Sequence, residues 1–302
     1  MISSPALTVS AVSTSPAPWR HTFESQVNQN TTQEFTLATV ANINGRTVPR
    51  ARMCGFRGFF PVSSIRQSVR KNLEEEHHLP HSLDSSIFGL ESDMLSFSTD
   101  SRMEKVDNIR FNDAIEAVFY LRDLSVQWRI KGTAHIIGSS DSDPEEQRSR
   151  QEISKGLRKL DPPKEEPDPV ALLGYNKDEV PQQKLQKEYL PWSWEKVMTI
   201  YFANHSPLLR GSFRIPSPGR PKSEVPLKEP FIDVGKRVHD VNDPHARNNY
   251  RIVVIIPTDV EKLDISDYEK STRINWTFVE DESSNYGGDE RRGRWEETEL
   301  WP

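Results

Sequence analysis

Apolar and polar positions alternate over short stretches of this chain, and the alternation predicts strands more often than helices. Residues 35–43 (FTLATVANI) alternate and are rich in β-branched side chains, so they read as a strand. Asn44-Gly45, a strong two-residue hairpin signal, follows. Residues 48–60 are then the return strand, carrying Arg50, Arg52 and Arg57. Residues 94–99, 114–121 and 125–137 read as three more strands, the last two joined around Arg122-Asp123. Residues 251–256 (RIVVII) are apolar without alternation, the mark of a buried strand, and residues 261–266 continue it beyond Pro257. Residues 273–279 and 294–300 form a last hairpin about Tyr286-Gly287-Gly288. Helical spacing is rarer. It appears at Trp19, Phe23 and Val27, at Met103, Val106 and Ile109 within 101–112, and at Trp194, Val197, Met198 and Tyr201. Ser206-Pro207 can cap and start another short helix ending near Gly211. About eight strands in antiparallel hairpins predict a mainly β (α+β) fold, a small barrel with short peripheral helices.

Between these stretches the pattern lapses. Residues 61–93 are irregular, with a short polar helix over 65–76 followed by His77, His78 and His81. Adjacent side chains do not share a helix face and no cysteine supports the histidines, so a polar insertion is the simpler reading than a metal site. Residues 139–190 are rich in Asp, Glu, Lys, Gln and Pro and read as a mobile insertion with a short helix around 153–160. The insertion opens on SSDSDPEE, which would suit an acidophilic kinase but reads more simply as a solvated loop. Residues 213–230 are Pro-rich and extended. Only 34% of residues are hydrophobic, 28% are charged and 22 are proline, which suffices for one good core and not for two large ones. We therefore expect a flexible tail over 1–18 and a single domain over 19–302 with insertions at about 61–93 and 139–190.

Composition also excludes function classes. No apolar run reaches the roughly 18–20 residues that span a bilayer. Cys54 is the single cysteine, so there is no disulfide framework and no Cys-rich zinc module. A net charge of −6 argues against a broad nucleic-acid footprint. The first 18 residues carry neither the basic start of a secretory signal nor the arginines of a mitochondrial one, and the expectation is a soluble cytoplasmic protein. No Gly-rich loop joins a strand to a helix, no G-x-S-x-G elbow occurs, and the carboxylates concentrate in loops. No catalytic residue and no metal ligand can be assigned, so any chemistry would belong to a cofactor.

Three stretches could hold an anion or a ring. Arg52 and Arg57 lie five apart on one strand, which puts them on opposite faces unless a bulge intervenes at Cys54-Gly55. Ser98-Thr99-Asp100-Ser101-Arg102 leads into a helix bearing Lys105, and hydroxyls at a strand end beside Arg102 and Lys105 suit a phosphate. Helix capping by Asp100 or Ser101 with two solvated cations explains the same residues. Gln127, Arg129 and Lys131 share one strand face, opposite Trp128 and Ile130, and a glutamine amide can read a ring edge. A solvent-facing polar strand explains that face equally.

The order of these signals resembles the FMN-binding split barrel of the pyridoxamine 5'-phosphate oxidase-like family, and within it the oxidase-like branch found in cyanobacteria and fungi. The resemblance rests on residues 35–40, the turn at Gly45, Arg52-x-x-x-x-Arg57-Gly58, residues 97–105 and Gln127-Trp128-Arg129-Ile130-x-Gly132. Further on it rests on Trp194 through Ser206, Arg210, Phe213, Pro216-x-Pro218-Gly219 and the closing Trp295 through Pro302. It implies an antiparallel split barrel that forms a homodimer, with FMN between the subunits. It further implies that Arg52 meets the flavin ring edge, that Met53 and Cys54 line the flavin by backbone, and that Arg57 stands near the phosphate. Ser98 and Thr99 would hold the phosphate or ribityl chain, Arg102 and Lys105 the phosphate, and Gln127 the ring, while the second subunit would supply Arg273.

The chain departs from the true oxidases of the family. Residues 269–273 (EKSTR) lack the histidine of their substrate-phosphate segment, and a flavin-contacting tryptophan is replaced near Leu263. The expectation is thus an FMN-dependent oxidoreductase taking hydride from a small-molecule substrate at flavin N5. Two alternatives stand beside it. One is a true pyridoxamine or pyridoxine 5'-phosphate oxidase, and the other is a non-enzymatic split-barrel module binding heme or a protein partner.

Overall fold

The computed structural model describes residues 15–62, 65, 87–140, 142–160, 192–224, 231–281 and 293–302. The expected first hairpin is present as β1 (Glu34–Ile43) and β2 (Arg46–Phe59), paired in one unbroken register from Glu34 opposite Gly55 to Ile43 opposite Arg46. Asn44 and Gly45 both take positive φ, 51° and 77°, the geometry that selects these two residues for a tight hairpin. The remaining strands are β3 (Leu90–Glu91), β4 (Leu95–Asp100), β5 (Ala114–Leu121), β6 (Val126–Ile137), β7 (Arg158–Lys159), β8 (Tyr250–Asp264), β9 (Thr272–Glu280) and β10 (Gly293–Leu300). The helices are α1 (Arg20–Gln29), α2 (Glu104–Phe111), α3 (Pro144–Lys155), α4 (Trp194–Ala203), α5 (Pro207–Ser212) and α6 (Pro244–Asn249). The last of these carries no periodic apolar pattern. Among the described residues no helix is long and apolar enough to cross a membrane.

Eight strands form one antiparallel sheet in the order β10-β9-β8-β4-β2-β1-β5-β6, and β6 returns to pair with β8, closing a barrel. β3 and β7 pair separately. Strand β8 is one continuous element through Pro257, as the continuation beyond the proline led us to expect. Its first part pairs with β4 up to Ile255, and its second part pairs with β9 from Asp259 onward. The change of partner falls at the proline, which has no N–H to give to a ladder. Opposite it, β6 shifts register between Lys131 and Gly132. A Cβ on Gly132 would lie 2.0 Å from the Ile256 carbonyl oxygen, so only glycine allows the strands to close here.

Apolar side chains gather in two clusters, one on each face of β8. Val253, Ile255 and Val260 join the barrel interior with Phe35, Leu37 and Phe119. Ile252, Val254 and Ile256 face outward, under Met198, Tyr201 and Phe202 of α4. This explains the unbroken RIVVII run and corrects the expectation of a single core. Two modest cores share their strands, so the same backbone serves both. Helix α1 plugs one end of the barrel, where the Phe23 ring meets Phe119 and Trp128 edge-on at 5.0 and 5.4 Å. Ala17, placed in the tail by composition, is buried in this cluster.

The opening of the insertion at 139–190 also differs from its reading as a mobile loop. Helix α3 begins earlier than the spacing suggests, with Asp143 accepting a hydrogen bond from the Glu145 N–H and Pro144 at its first position. Glu146 is buried and lies 3.2 Å from Nε of Arg251, while Ile153 and Leu157 enter the outer core. Composition is a poor guide here because only two or three side chains of a polar helix carry its packing. Ile153→Ala is expected to lower stability by about 2–4 kcal/mol, as for other fully buried aliphatic truncations. Chemical denaturation would measure this, and no change in midpoint would show that α3 is not held by that contact. Residues 65–76, the three histidines and the turn at 286–288 lie, apart from Ile65, outside the described residues, as do residues 161–191.

Candidate cofactor site

The bulge expected at Cys54-Gly55 lies further on. The β2–β4 register shifts between Phe56 and Phe59, at Gly58, whose φ is +91°. Regular alternation up to Phe56 therefore puts Arg52 and Cys54 on one face, opposite Leu37 and Phe35, and turns Met53 to the other, where it is exposed. Helix α2 covers the Arg52 side. Lys105, in its first turn, places Nζ 3.2 Å from the Thr99 hydroxyl at the end of β4. Arg52, Cys54, Thr99 and Lys105 thus meet between β2, β4 and α2.

The electrostatics of this cluster are unusual. Among the described residues neither Arg52 nor Lys105 makes an ion pair, although both are partly buried. Burial lowers the pKa of the Lys105 ammonium, the neighbouring Arg52 lowers it too, and the Cys54 thiol and Asp100 partly offset this. Burial pushes the Cys54 thiol up, against the pull of Lys105 and Arg52. Cys54 is therefore a neutral thiol between two cations and not a poised nucleophile. Asp100 and Glu104 lie nearby but pair with Arg102 and Arg50, which leaves two cations and a hydroxyl as a donor set suited to a phosphate dianion. The residues present fit the phosphate of FMN.

The other expected residues are distributed elsewhere. Ser98 and Thr99 are adjacent on a strand and so point to opposite faces. The Ser98 hydroxyl lies 2.8 Å from Nε2 of His205, which is 3.2 Å from the Tyr250 hydroxyl. On that side Arg57, Tyr201 and His205 line a cavity of about 560 Å³ floored by Phe56 and Phe59. Arg102 pairs with Asp100 at 2.6 Å and donates to the carbonyls of Ile215 and Phe213 at 2.9 and 3.4 Å. It ties the segment after α5 to the end of β4. Asp100 accepts from the Arg102 N–H, while the N-cap of α2 is Met103, with no side-chain bond.

Gln127, Arg129 and Lys131 do share the outer face of β6, as alternation requires, and Trp128 and Ile130 are buried behind it. Gln127 stands opposite Leu263, which stands opposite Arg273. Arg273 pairs with Glu261 at 3.0 Å, and Glu261 also lies 3.6 Å from Arg129. Within one chain Gln127 and Arg273 thus lie on the outer sheet face, away from the Arg52–Lys105 cluster.

Two side chains at the cluster escaped the sequence reading, Thr39 and Asn108. Thr39 occupies an inward position of β1, after Phe35 and Leu37, and Asn108 sits on the apolar side of α2 between Val106 and Ile109. Both are buried. Polar residues at core positions were the available signal, because such groups are kept only where they are hydrogen-bonded.

Comparison with known proteins bears on the domain and the fold. Residues 16–138 match the family model described as pyridoxamine 5'-phosphate oxidase, FMN-binding domain. A pyridoxamine 5'-phosphate oxidase-related, FMN binding protein from Nostoc punctiforme is 19% identical, with 95% of this chain and 100% of that chain covered and a TM-score of 0.50. PhzG from Burkholderia lata, solved with tetrahydrophenazine-1-carboxylic acid, is 13% identical over 94% of this chain and 89% of its own, with a TM-score of 0.42. General Stress Protein 26 from Bacillus anthracis is 11% identical over 80% and 92%, with a TM-score of 0.29. A search of curated proteins finds no match. Residues 16–138 thus match a pyridoxamine 5'-phosphate oxidase FMN-binding domain, and the chain as a whole shares the fold of the Nostoc protein.

Proposed function

We propose that this chain is an FMN-dependent oxidoreductase acting on a small-molecule substrate as a homodimer. The observation that carries the reading is the grouping of Arg52 and Lys105, neither ion-paired, beside Cys54 and the Thr99 hydroxyl that Lys105 reaches. Thr99 and Lys105 would hold the phosphate, Arg52 would meet the phosphate or the ring edge, and the backbone of Met53 and Cys54 would lie along the flavin. When bound, the flavin would supply a hydride acceptor at N5. The protein's own part is electrostatic, since cations near the ring edge favour the reduced, anionic form.

The dimer would bring the outer sheet face of a second copy to the site. That face carries Gln127 and Arg273 beside the exposed Met53 and Tyr120. It supports the expectation that the second subunit supplies Arg273, and we extend that role to Gln127. Arg102, already paired with Asp100, is better suited to holding the fold than to gripping a ligand.

The visible absorption spectrum of the purified protein tests the reading. Flavin bands, with FMN released on denaturation and identified by mass, are expected. A colourless protein that takes up no added FMN would remove it in favour of a binding module, and heme bands would replace the chemistry. Turnover of pyridoxamine 5'-phosphate to pyridoxal 5'-phosphate above background would instead establish the vitamin B6 oxidase.

A further inference from the structure

The guanidinium of Arg52 is held by a small buried network whose donors and acceptors all agree in direction. One Nη1 hydrogen goes to the Thr39 hydroxyl at 2.6 Å, and the Leu37 carbonyl lies 3.4 Å from the same nitrogen. With the Asn108 amide turned so that each of its atoms meets a complementary group, its oxygen accepts from Nη2 of Arg52 at 2.9 Å. The same oxygen accepts from the Thr39 hydroxyl at 3.2 Å, and its nitrogen donates to the Glu104 carbonyl at 3.2 Å. Thr39 is 3% exposed and Asn108 4%. Neither is needed to fill the core, where Val or Leu would bury more apolar surface, and each would be costly if left unbonded.

An arginine has five N–H donors in a fixed plane. The network uses the end of the plane defined by Nη1 and Nη2. Among the described residues no hydrogen bond is made by Nε or by the second Nη2 hydrogen. Those two share the long edge of the guanidinium, the edge suited to a bidentate oxygen acceptor. A long, mobile side chain would otherwise lose rotamer freedom each time it engaged a ligand.

We propose that Thr39 and Asn108 are positioning residues that hold the Arg52 guanidinium with its Nε–Nη2 edge open to the cofactor. The proposal rests on the FMN reading above. The acceptor is an oxygen pair of the cofactor, supplied by its phosphate or by the imide edge of its ring.

Thr39→Val, Thr39→Ser and Asn108→Leu decide the matter, with FMN and riboflavin titrated against each protein by flavin fluorescence and folding followed by circular dichroism. Thr39→Val is expected to raise the FMN Kd about tenfold, and Asn108→Leu by at least as much, the scale of a hydrogen bond to a charged group. Thr39→Ser, which keeps the hydroxyl, should stay within about twofold of the wild type, a rescue that a packing role would not show. If only FMN binding weakens, Arg52 reads the phosphate; if riboflavin weakens equally, it reads the ring. Folded Thr39→Val with wild-type affinity would overturn the proposal, as would Thr39→Ser weakened as much as Thr39→Val. If Asn108→Leu does not fold, the Val and Ser pair at position 39 still decides. A wild-type protein that binds no FMN is a separate outcome; it defeats the cofactor reading, and this proposal with it.

Discussion

Arg52→Ala with Lys105→Ala should abolish retention of FMN through purification, leaving a folded, colourless protein. Each cation offers charge-assisted hydrogen bonds worth about 1.5–3 kcal/mol, and the pair should therefore cost roughly 3–6 kcal/mol. At about 1.4 kcal/mol per tenfold, this is a rise in Kd of two to four orders of magnitude. The fold should survive, because neither cation is ion-paired and the nearby Asp100 and Glu104 keep Arg102 and Arg50 as partners, so removal leaves no buried anion unpaired. Arg102→Ala should behave in the opposite way. It strips the partner from Asp100, which is 3% exposed, and frees the carbonyls of Phe213 and Ile215. Its loss should appear in the denaturation midpoint more than in flavin affinity. Titration of FMN into the double variant and into Arg102→Ala separates the two roles. Tight binding by the double variant would place the phosphate elsewhere, and Arg57 on the cavity side would become the cation to test.

Trp128→Ala should be the most destabilising single truncation in the barrel. The side chain is fully buried, stacks on Trp276 at 5.8 Å and 13°, and meets Phe23 edge-on. Its indole N–H also donates to Gln26 at 2.9 Å, joining β6 to α1. Removal leaves a large cavity in a rigid ring of strands and an amide oxygen without its donor. Comparable truncations cost about 3–5 kcal/mol, a large share of the roughly 5–15 kcal/mol that holds a typical domain. At about 2–4 °C per kcal/mol for chains near this size, the melting temperature should fall by on the order of 10 °C. A calorimetric scan of apo-protein measures it without interference from cofactor binding. A shift below about 3 °C would mean that α1 collapses into the space, and that the plug is less rigid than its ring contacts imply.

Much of the fold was readable from the chain alone, because local physics dominates where the pattern is strict. Alternation located β1, β2, β5 and β6 and assigned Gln127, Arg129 and Lys131 to one face, since strand geometry leaves no other choice. Asn44-Gly45 specified its turn through positive φ, and Ser206-Pro207 began α5 through capping chemistry. The residues of the anion cluster were also legible as types, being hydroxyls and cations near a strand end. Their grouping was not. Strand alternation sends Ser98 toward His205 and Thr99 toward Lys105, and a bulge at Gly58 instead of Gly55 leaves Arg57 apart from Arg52. Asp100 claims Arg102 because a buried carboxylate takes the nearest guanidinium. The packing of α3, the change of partner of β8 at Pro257 and the Thr39–Asn108 network depend on residues far apart in the chain. Those contacts exist only once the barrel has closed, so only the tertiary structure could decide them. What the sequence determined by itself was which groups were available; closure of the barrel decided which of them meet.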